Sequence, residues 1–279
     1  MNTRDNLRVS VPQKHRRVQP RTPLSQSHWL WRILQIPLSV SMLCVLVGGA
    51  NAETVRVAGY VKAPYMMEVG EAREQTGLCV DILREALKRT GNDMTYTMLP
   101  NKRLIDAFQK NHIDAEPCVS PLWRRRDREI SVYSDAYYQT ENVVIIRKDR
   151  GFQATTIQDF RGKTLGTGLG YIYTDGFQEE FEAGKILRDD ANSAEQSVRK
   201  LQSQRVDGII IDRMTGQYWI RQLGFAPDAF EIAYVFKAKS ELSVRLHISR
   251  QQLVPALNEA LHAMEDDGTM MAIIQDSMQ

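Results

Sequence analysis

The 279-residue sequence carries 36 Lys and Arg residues against 34 Asp and Glu residues, a net charge of +2. Residues 1–52 hold seven of the basic residues and one of the acidic residues, so the rest of the chain has a net charge near −4. The excess of basic residues therefore comes from the N-terminus. The overall charge gives no reason to expect a nucleic-acid-binding surface. The other 227 residues are long enough for one large domain or two lobes of about 100 residues each.

The N-terminus is typical of a secretory signal peptide. Residues 1–28 are rich in basic residues and proline, residues 33–49 form an apolar run, and Ala50-Asn51-Ala52 is a small-x-small site for signal peptidase. We predict cleavage after Ala52 and a periplasmic location, and the long basic region leaves open a start codon downstream of Met1. A membrane anchor is the alternative, but polar residues and Pro37 interrupt a run that would need about 20 apolar residues. A lipid anchor is not expected, because Ser41-Met42-Leu43 before Cys44 makes a poor lipobox.

After residue 52, predicted strands alternate with predicted helices. Alternation or β-branched apolar runs predict strands at 54–60, 94–99, 113–115, 143–147, 164–167, 208–212 and 242–248. Helical spacing of apolar residues predicts helices at 80–89, 102–110, 174–183, 194–204, 213–223, 253–267 and 269–278. This order predicts α/β units on a mostly parallel sheet, in which ligands bind at the carboxyl ends of strands.

Two cysteines remain after the predicted cleavage, Cys79 and Cys118. An even number in an oxidising compartment favours one disulfide, and two separate buried thiols are the alternative. No His or third Cys lies at ligand spacing near either residue, so no metal site is expected.

Six segments follow one another in a distinctive order. They are Ala63-Pro64-Tyr65, the helix start at 76–83, the strand and loop at 113–124, the segment at 130–138, the strand at 157–170 and the strand at 205–212, followed by a terminal helix pair at 258–274. This order resembles the family 3 periplasmic solute-binding proteins of ABC importers, of the polar amino-acid type. The resemblance covers nearly all of residues 53–279. No single segment is specific, but the six in order are.

The resemblance implies the type II periplasmic binding protein fold, which has two α/β lobes and two hinge strands. We expect lobe 1 at 53–143 plus 241–279 and lobe 2 at 144–240, with the chain crossing near 141–144 and 239–243. The family resemblance also implies that the protein is a monomer and needs no cofactor. Such a protein captures a small polar solute between its lobes and delivers it to the membrane permease of an ABC transporter.

The resemblance also suggests which residues bind the solute. Arg124 stands where a carboxylate-binding Arg falls in the family, although Arg125 and Arg126 are adjacent candidates. Asp212 is predicted either to accept from a ligand ammonium or to cap the following helix. Tyr65 is predicted to stack on the ligand or to pack in the core. Ser120, Gly170 and Tyr171 complete the expected site, Gly170 because it leads towards a helix N-terminus.

Two departures from the family put an ordinary α-amino acid ligand in question. Tyr171 and Tyr173 stand where the family has small hydroxyl residues, and Glu116 stands where it has a small residue. Glu116 is predicted to face a cationic ligand or to pair with a nearby Arg. A cationic, aromatic or otherwise modified solute is therefore equally compatible with the sequence.

Two other functions remain open at this point. An enzyme on the same fold, similar to cyclohexadienyl or prephenate dehydratases, needs a general acid or base, and Glu116 is the candidate. His112 and His247 lack an evident nucleophile partner and are predicted to be surface or packing residues. The other function is a ligand sensor that acts through a separate receptor.

Overall fold

The computed structural model describes residues 53–150, 152 and 154–278, so the predicted signal peptide and its cleavage site lie outside the described residues. The strands are β1 (Thr54–Gly59), β2 (Met67–Val69), β3 (Glu74–Thr76), β4 (Asp93–Met98), β5 (Ala115–Val119), β6 (Ser131–Tyr133), β7 (Tyr138–Arg147), β8 (Thr164–Gly168), β9 (Leu187–Ala191), β10 (Gly208–Asp212) and β11 (Phe230–His247). The α-helices are α1 (Leu78–Arg89), α2 (Asn101–Gln109), α3 (Phe177–Glu182), α4 (Ala194–Gln202), α5 (Arg213–Gln222), α6 (Val254–Asp266) and α7 (Thr269–Asp276). Short 3₁₀ segments connect them, the longest at Pro121–Ile130.

Nine of the described strands form one continuous sheet in the order β4-β1-β5-β11-β7-β10-β8-β9, with β6 paired to β11. The outer strands are parallel: β1 pairs with β4 and β5, and β8 pairs with β9 and β10. The central strands β7 and β11 are antiparallel to each other, β7 is antiparallel to β10, and β11 is antiparallel to β5 and β6. Two parallel groups therefore meet at the β7–β11 pair.

We call the part built on β1, β4 and β5 with α1, α2, α6 and α7 the first lobe, and the part built on β8, β9 and β10 with α3, α4 and α5 the second lobe. The long strands β7 and β11 extend through both, and Glu141 pairs with Lys239 where the sequence places the two crossings. In the first lobe, buried residues of α1, β1, β11 and α6 form the main hydrophobic core. In the second lobe, separate cores lie on the two faces of the sheet.

The structure adds strands that the sequence reading missed. The β2–β3 hairpin is short and largely polar, and β9, at the edge of the sheet, consists of Leu-Arg-Asp-Asp-Ala. Strand β11 begins at Phe230, twelve residues before the predicted strand start at Leu242. The alternation of Phe230, Ile232, Tyr234 and Phe236 was a usable signal for this extension.

A disulfide joins Cys79 at the start of α1 to Cys118 in β5, with the Cα atoms 5.7 Å apart. Both cysteines are buried. The bridge predicted from the cysteine count is thus present and ties α1 to the sheet. Within the described ranges, no helix is both long and apolar enough for a membrane span.

Candidate ligand-binding cleft

The carboxyl ends of four strands carry most of the predicted site. β1 leads to Tyr65 through a short loop, β5 leads to Ser120 and Arg124, β8 leads to Gly170 and Tyr171, and β10 ends at Asp212. The carboxyl ends of β1 and β5 lie together because the strands are parallel, and the same holds for β8 and β10. The fold therefore gives each lobe one edge that presents candidate side chains.

Tyr65 and Asp212 connect the two lobes. The Tyr65 ring is buried, and its hydroxyl donates to the Asp212 carboxylate at 2.9 and 3.0 Å to the two oxygens. The hydroxyl also lies 3.0 Å from Thr140 Oγ1 of β7. Burial, reinforced by the negative charge of Asp212, raises the pKa of Tyr65. The phenol therefore stays protonated and donates to Asp212.

Asp212 serves as the N-cap of α5, because its Oδ1 accepts from the Thr215 backbone N–H at 3.0 Å. Thr140 also donates to its Oδ2. The sequence left a choice between a capping role and a ligand-binding role. The structure contains the cap, and the ligand contact stays a prediction.

Glu116 and Arg124 form an ion pair in the first lobe. Glu116, in β5, is 1% exposed, and its Oε2 accepts from Arg124 Nη2 at 2.9 Å. Burial acts to lower the pKa of Arg124, but the charge and hydrogen bond of Glu116 outweigh it and raise that pKa. Arg125 and Arg126 are exposed, so Arg124 is the one of the three that turns towards Glu116.

A second arginine, Arg245 of β11, completes this charge network. Its side chain is fully buried, and its Nη1 donates to Glu116 Oε1. Its Nη2 donates to Asp127 Oδ2 at 3.0 Å and its Nε to Ser131 Oγ at 2.9 Å. Its guanidinium also lies 3.5 Å from the centre of the Phe108 ring. Glu116 is thus held between two guanidinium groups.

The remaining predicted residues lie at the strand ends without joining these pairs. Ser120 is 2% exposed and precedes the 3₁₀ segment that carries Arg124. Gly170 has φ +78°, in the left-handed region, and Tyr171 after it is 61% exposed. Across the described residues, no hydrogen bond links Ser120, Gly170 or Tyr171 to the Tyr65–Asp212 or Glu116–Arg124 pairs. Tyr173 turns inward instead, and its hydroxyl accepts from the Gly168 N–H at 2.8 Å.

Sequence reasoning missed Tyr60, Lys62 and Trp123. Lys62 Nζ lies 4.5 Å from the centre of the Tyr65 ring and 5.7 Å from that of Trp123. Trp123, next to Arg124, is 42% exposed. Burial raises the pKa of Tyr60, and the charges of Arg124, Glu116 and Asp212 also act on it. The position of Tyr60 and Lys62 directly after β1 was a usable signal.

Metal-dependent chemistry has no candidate ligand set in the described part of the chain. No group of three or more His, Cys, Asp or Glu side chains is arranged to hold a metal ion there. The chemistry available at the strand ends is that of donors, carboxylates and aromatic rings. These groups bind small polar molecules through charge-assisted hydrogen bonds and stacking.

The fold and the cleft are those of a two-lobed, type II periplasmic binding protein. Residues 55–278 match the family model described as bacterial extracellular solute-binding proteins, family 3, and the chain belongs to that family. It is therefore a solute-binding protein, and the family and its curated relatives are binding proteins rather than enzymes.

Individual relatives have low sequence identity to this chain, but their alignments cover most of it. The arginine-binding extracellular protein ArtP of Bacillus subtilis is 23% identical, in an alignment that covers 86% of this chain and 94% of the relative. The L-cystine-binding protein TcyJ of Escherichia coli is 20% identical, over 73% of this chain and 74% of the relative.

Solved structures show the same fold. The L-cystine solute receptor of Neisseria gonorrhoeae, in the unliganded open conformation, has a TM-score of 0.65 at 16% identity, covering 82% of this chain and 94% of that one. An ancestral arginine-binding protein bound to arginine has a TM-score of 0.64 at 18% identity, covering 81% and 98%. At these identities the likeness establishes the fold, and the solute has to be argued from this chain's own residues.

Proposed function

We propose that this protein is exported to the periplasm, captures an amino acid or a related small polar solute between its two lobes, and delivers it to the membrane permease of an ABC importer. The observation that carries the proposal is the hydrogen bond from Tyr65 of the first lobe to Asp212 of the second. A solute that contacts both residues contacts both lobes, and only a ligand that favours the closed arrangement shifts the equilibrium towards it.

Charge complementarity supports a zwitterionic solute. Arg124 offers a cationic donor to a carboxylate, and Asp212 offers a carboxylate to an ammonium group. Both already have protein partners, Glu116 and Tyr65, so the solute exchanges contacts rather than meeting bare charges. Lys62, Trp123 and Tyr171 surround the same strand ends and would contact the solute side chain. Relatives named for arginine, cystine and histidine are consistent with this class.

The environment of Glu116 favours binding over catalysis. Both of its oxygens accept from guanidinium groups, of Arg124 and of Arg245. A general acid needs a transferable proton and access to the substrate, and a carboxylate held by two cations is poorly suited to that role. We therefore propose no enzymatic activity.

The lobe boundaries, a monomeric state and cleavage after Ala52 belong to the same proposal. The pairing of Glu141 with Lys239 supports hinges near 141–144 and 239–243. Mass spectrometry of periplasmic protein should give a chain that begins at Glu53. Light scattering should give the mass of one chain.

The test is a thermal-shift screen of the purified protein against amino acids, polyamines and organic acids. The melting temperature should rise with the concentration of the true solute. For that solute, Asp212→Asn and Arg124→Gln should each weaken binding about tenfold or more, because each removes a charge-assisted hydrogen bond. The exposed neighbour Arg125→Gln is the matched control and should leave affinity unchanged.

Turnover of a substrate that Glu116→Gln abolishes, with no solute raising the melting temperature, would contradict the proposal. Equal affinity in Arg124→Gln and Arg125→Gln would show that the solute has no carboxylate at Arg124.

A further inference from the structure

A cavity of about 310 Å³ lies beside the point where β7 and β11 pair. Its walls come from β7, β11, the first two turns of α5 and the last helix α7. Both lobes therefore contribute to it, and the paired hinge residues Glu141 and Lys239 lie in its wall. The volume is at the lower end of the range of small-molecule sites.

This cavity adjoins the candidate cleft, with which it shares Tyr65 and Thr140, but most of its lining is different. Tyr65 lines it, but Glu116, Ser120, Arg124, Gly170 and Tyr171 do not. Asp212 does not line it either, and its carboxylate already accepts from Tyr65, Thr140 and the Thr215 N–H. The solute-binding role thus leaves the cavity unexplained.

The charged groups in the cavity wall are unbalanced. Arg213 Nη2 lies 2.6 Å from Glu141 Oε1, and Lys239 Nζ lies 3.6 Å from Glu141 Oε2. Two cations share one carboxylate, which leaves a net charge of +1 in the lining. Arg213 and Lys239 remain 37% and 49% exposed, so both can turn towards a ligand. A site of this kind favours a small anion.

The rest of the wall is mixed, because Gln139, Thr140 and Gln217 are polar and the other side chains are apolar or aromatic. Met214, Ile274 and Met278 contribute flexible aliphatic and thioether surface. The Tyr138 ring packs edge-on against Tyr65, with the ring centroids 5.9 Å apart. An anion that also carries an apolar or aromatic portion would fill this part of the cavity.

We propose that the cavity is a second ligand site, which binds a small organic monoanion with an apolar portion. The anionic group replaces part of the Glu141 contact with Arg213 and Lys239, and the apolar portion packs against Met214, Ile274 and Met278. Because the ligand contacts both lobes at the hinge pair, it shifts the equilibrium between open and closed arrangements. The site does not depend on the identity of the solute in the cleft.

Calorimetric titration of the purified protein with benzoate and with benzamide tests the charge requirement, because the two have nearly the same shape. Benzoate should bind and benzamide should bind at least about tenfold more weakly. Arg213→Gln and Lys239→Gln should weaken benzoate binding by about ten- and fivefold. Glu141→Gln should tighten it several-fold, because it removes the competing carboxylate. Lys237→Gln, on the same strand outside the cavity, should change nothing.

The second test separates this site from the cleft. Benzoate affinity should be the same in Arg124→Gln as in the unmodified protein, so a loss there would place benzoate in the cleft and overturn the proposal. Equal binding of benzamide, no benzoate binding up to about 10 mM, or unchanged affinity in the well-folded Lys239→Gln variant would also overturn it. If a cleft solute is known, benzoate should change its affinity and the solute should change benzoate affinity by the same factor.

Discussion

The two lobes share one sheet but are stabilised by different interactions. The first lobe contains a buried charge network, with Arg245 between Glu116 and Asp127, together with the Cys79–Cys118 disulfide. The second lobe contains an aromatic cluster, in which Phe177 and Phe236 stack with their centroids 4.9 Å apart and Phe160, Tyr173 and Tyr234 pack around them.

The difference matters for the cleft. Arg124 is bonded to a carboxylate that Arg245 also holds, so the candidate ligand-binding charge of the first lobe is part of its core. Buried ion pairs often contribute little net stability, because desolvation offsets their attraction, but removing one partner is costly. In the second lobe the aromatic cluster supports the loop of Tyr171 through the bond between Tyr173 and Gly168. The candidate site residues are therefore linked to the core through charge in the first lobe and through packing in the second.

Breaking the charge network should have the largest effect. Arg245→Met leaves Asp127 without its cation and Glu116 with Arg124 alone, and should destabilise the first lobe by about 4 kcal/mol. Residues 53–279 contain two tryptophans, Trp123 in the first lobe and Trp219 in the second. Urea unfolding followed by fluorescence in a Trp219→Phe background therefore reports on the first lobe. The double variant Arg245→Met with Glu116→Gln is the control and should lose less stability, and an additive loss would argue against a shared network.

Removing the disulfide should have the next largest effect. Cys79 and Cys118 are 39 residues apart, and a disulfide typically stabilises a protein by about 2–4 kcal/mol. The variant Cys79→Ala with Cys118→Ala should lower the midpoint of the Trp123 transition. A reducing agent should produce a similar shift in the original protein and none in the double variant. A larger shift of the Trp219 transition would contradict the assignment of the bridge to the first lobe.

A fall in pH should destabilise the first lobe by a smaller amount. Burial acts to raise the pKa of Asp114, but hydrogen bonds from Arg56 and Arg250 outweigh it and lower that pKa to about 2. A depressed pKa contributes stability above the unfolded value near 4, and this contribution is lost as the pH falls towards 2. After a reduction for the half-exposed Arg56, the loss is about 1–2 kcal/mol. Asp114→Asn should remove most of this acid dependence of the Trp123 transition, and unchanged dependence would contradict the assignment.

The smallest effect is expected in the aromatic cluster. Phe177→Leu keeps an apolar side chain but removes the stacked ring opposite Phe236, which should cost about 1 kcal/mol. Unfolding in a Trp123→Phe background, where Trp219 reports on the second lobe, measures this loss. The cost should be independent of pH between 3 and 7, and an acid-sensitive loss would mean that the substitution also disturbs an ion pair of this lobe, such as Arg161–Glu180.

The fold was largely predictable because its signals are local. Apolar patterns predicted the strands at Val143–Arg147 and Gly208–Asp212 and the helix that follows Cys79. The edge strand β9 was not predicted, because an edge strand needs few buried side chains. The early part of β11 was missed although its alternating aromatic residues predicted it. The disulfide was favoured over two separate thiols by the even cysteine count and by the place of both cysteines in one predicted lobe.

The candidate site was less predictable because its key contacts are long-range. Pairing of Glu116 with an arginine was among the alternatives for that residue, and Arg124 was named, but Arg245 lies 129 residues from Glu116 and no local pattern points to it. The bond from Tyr65 to Asp212 spans 147 residues. The capping role of Asp212 was predictable because it depends on one turn of helix. Ligand contacts of Ser120, Gly170 and Tyr171 stay predictions.

The position of Arg245 has a consequence for the order of events during folding. Glu116 and Asp127 emerge during synthesis more than 100 residues before Arg245 does, since Arg245 lies on the returning strand β11. Until then, Glu116 has only Arg124 as a cation and Asp127 has none from this network, so the charge network of the first lobe is incomplete. Contacts of such high sequence separation slow folding. The first lobe is therefore completed only when the returning strand β11 pairs with β5 and brings Arg245 to the two carboxylates.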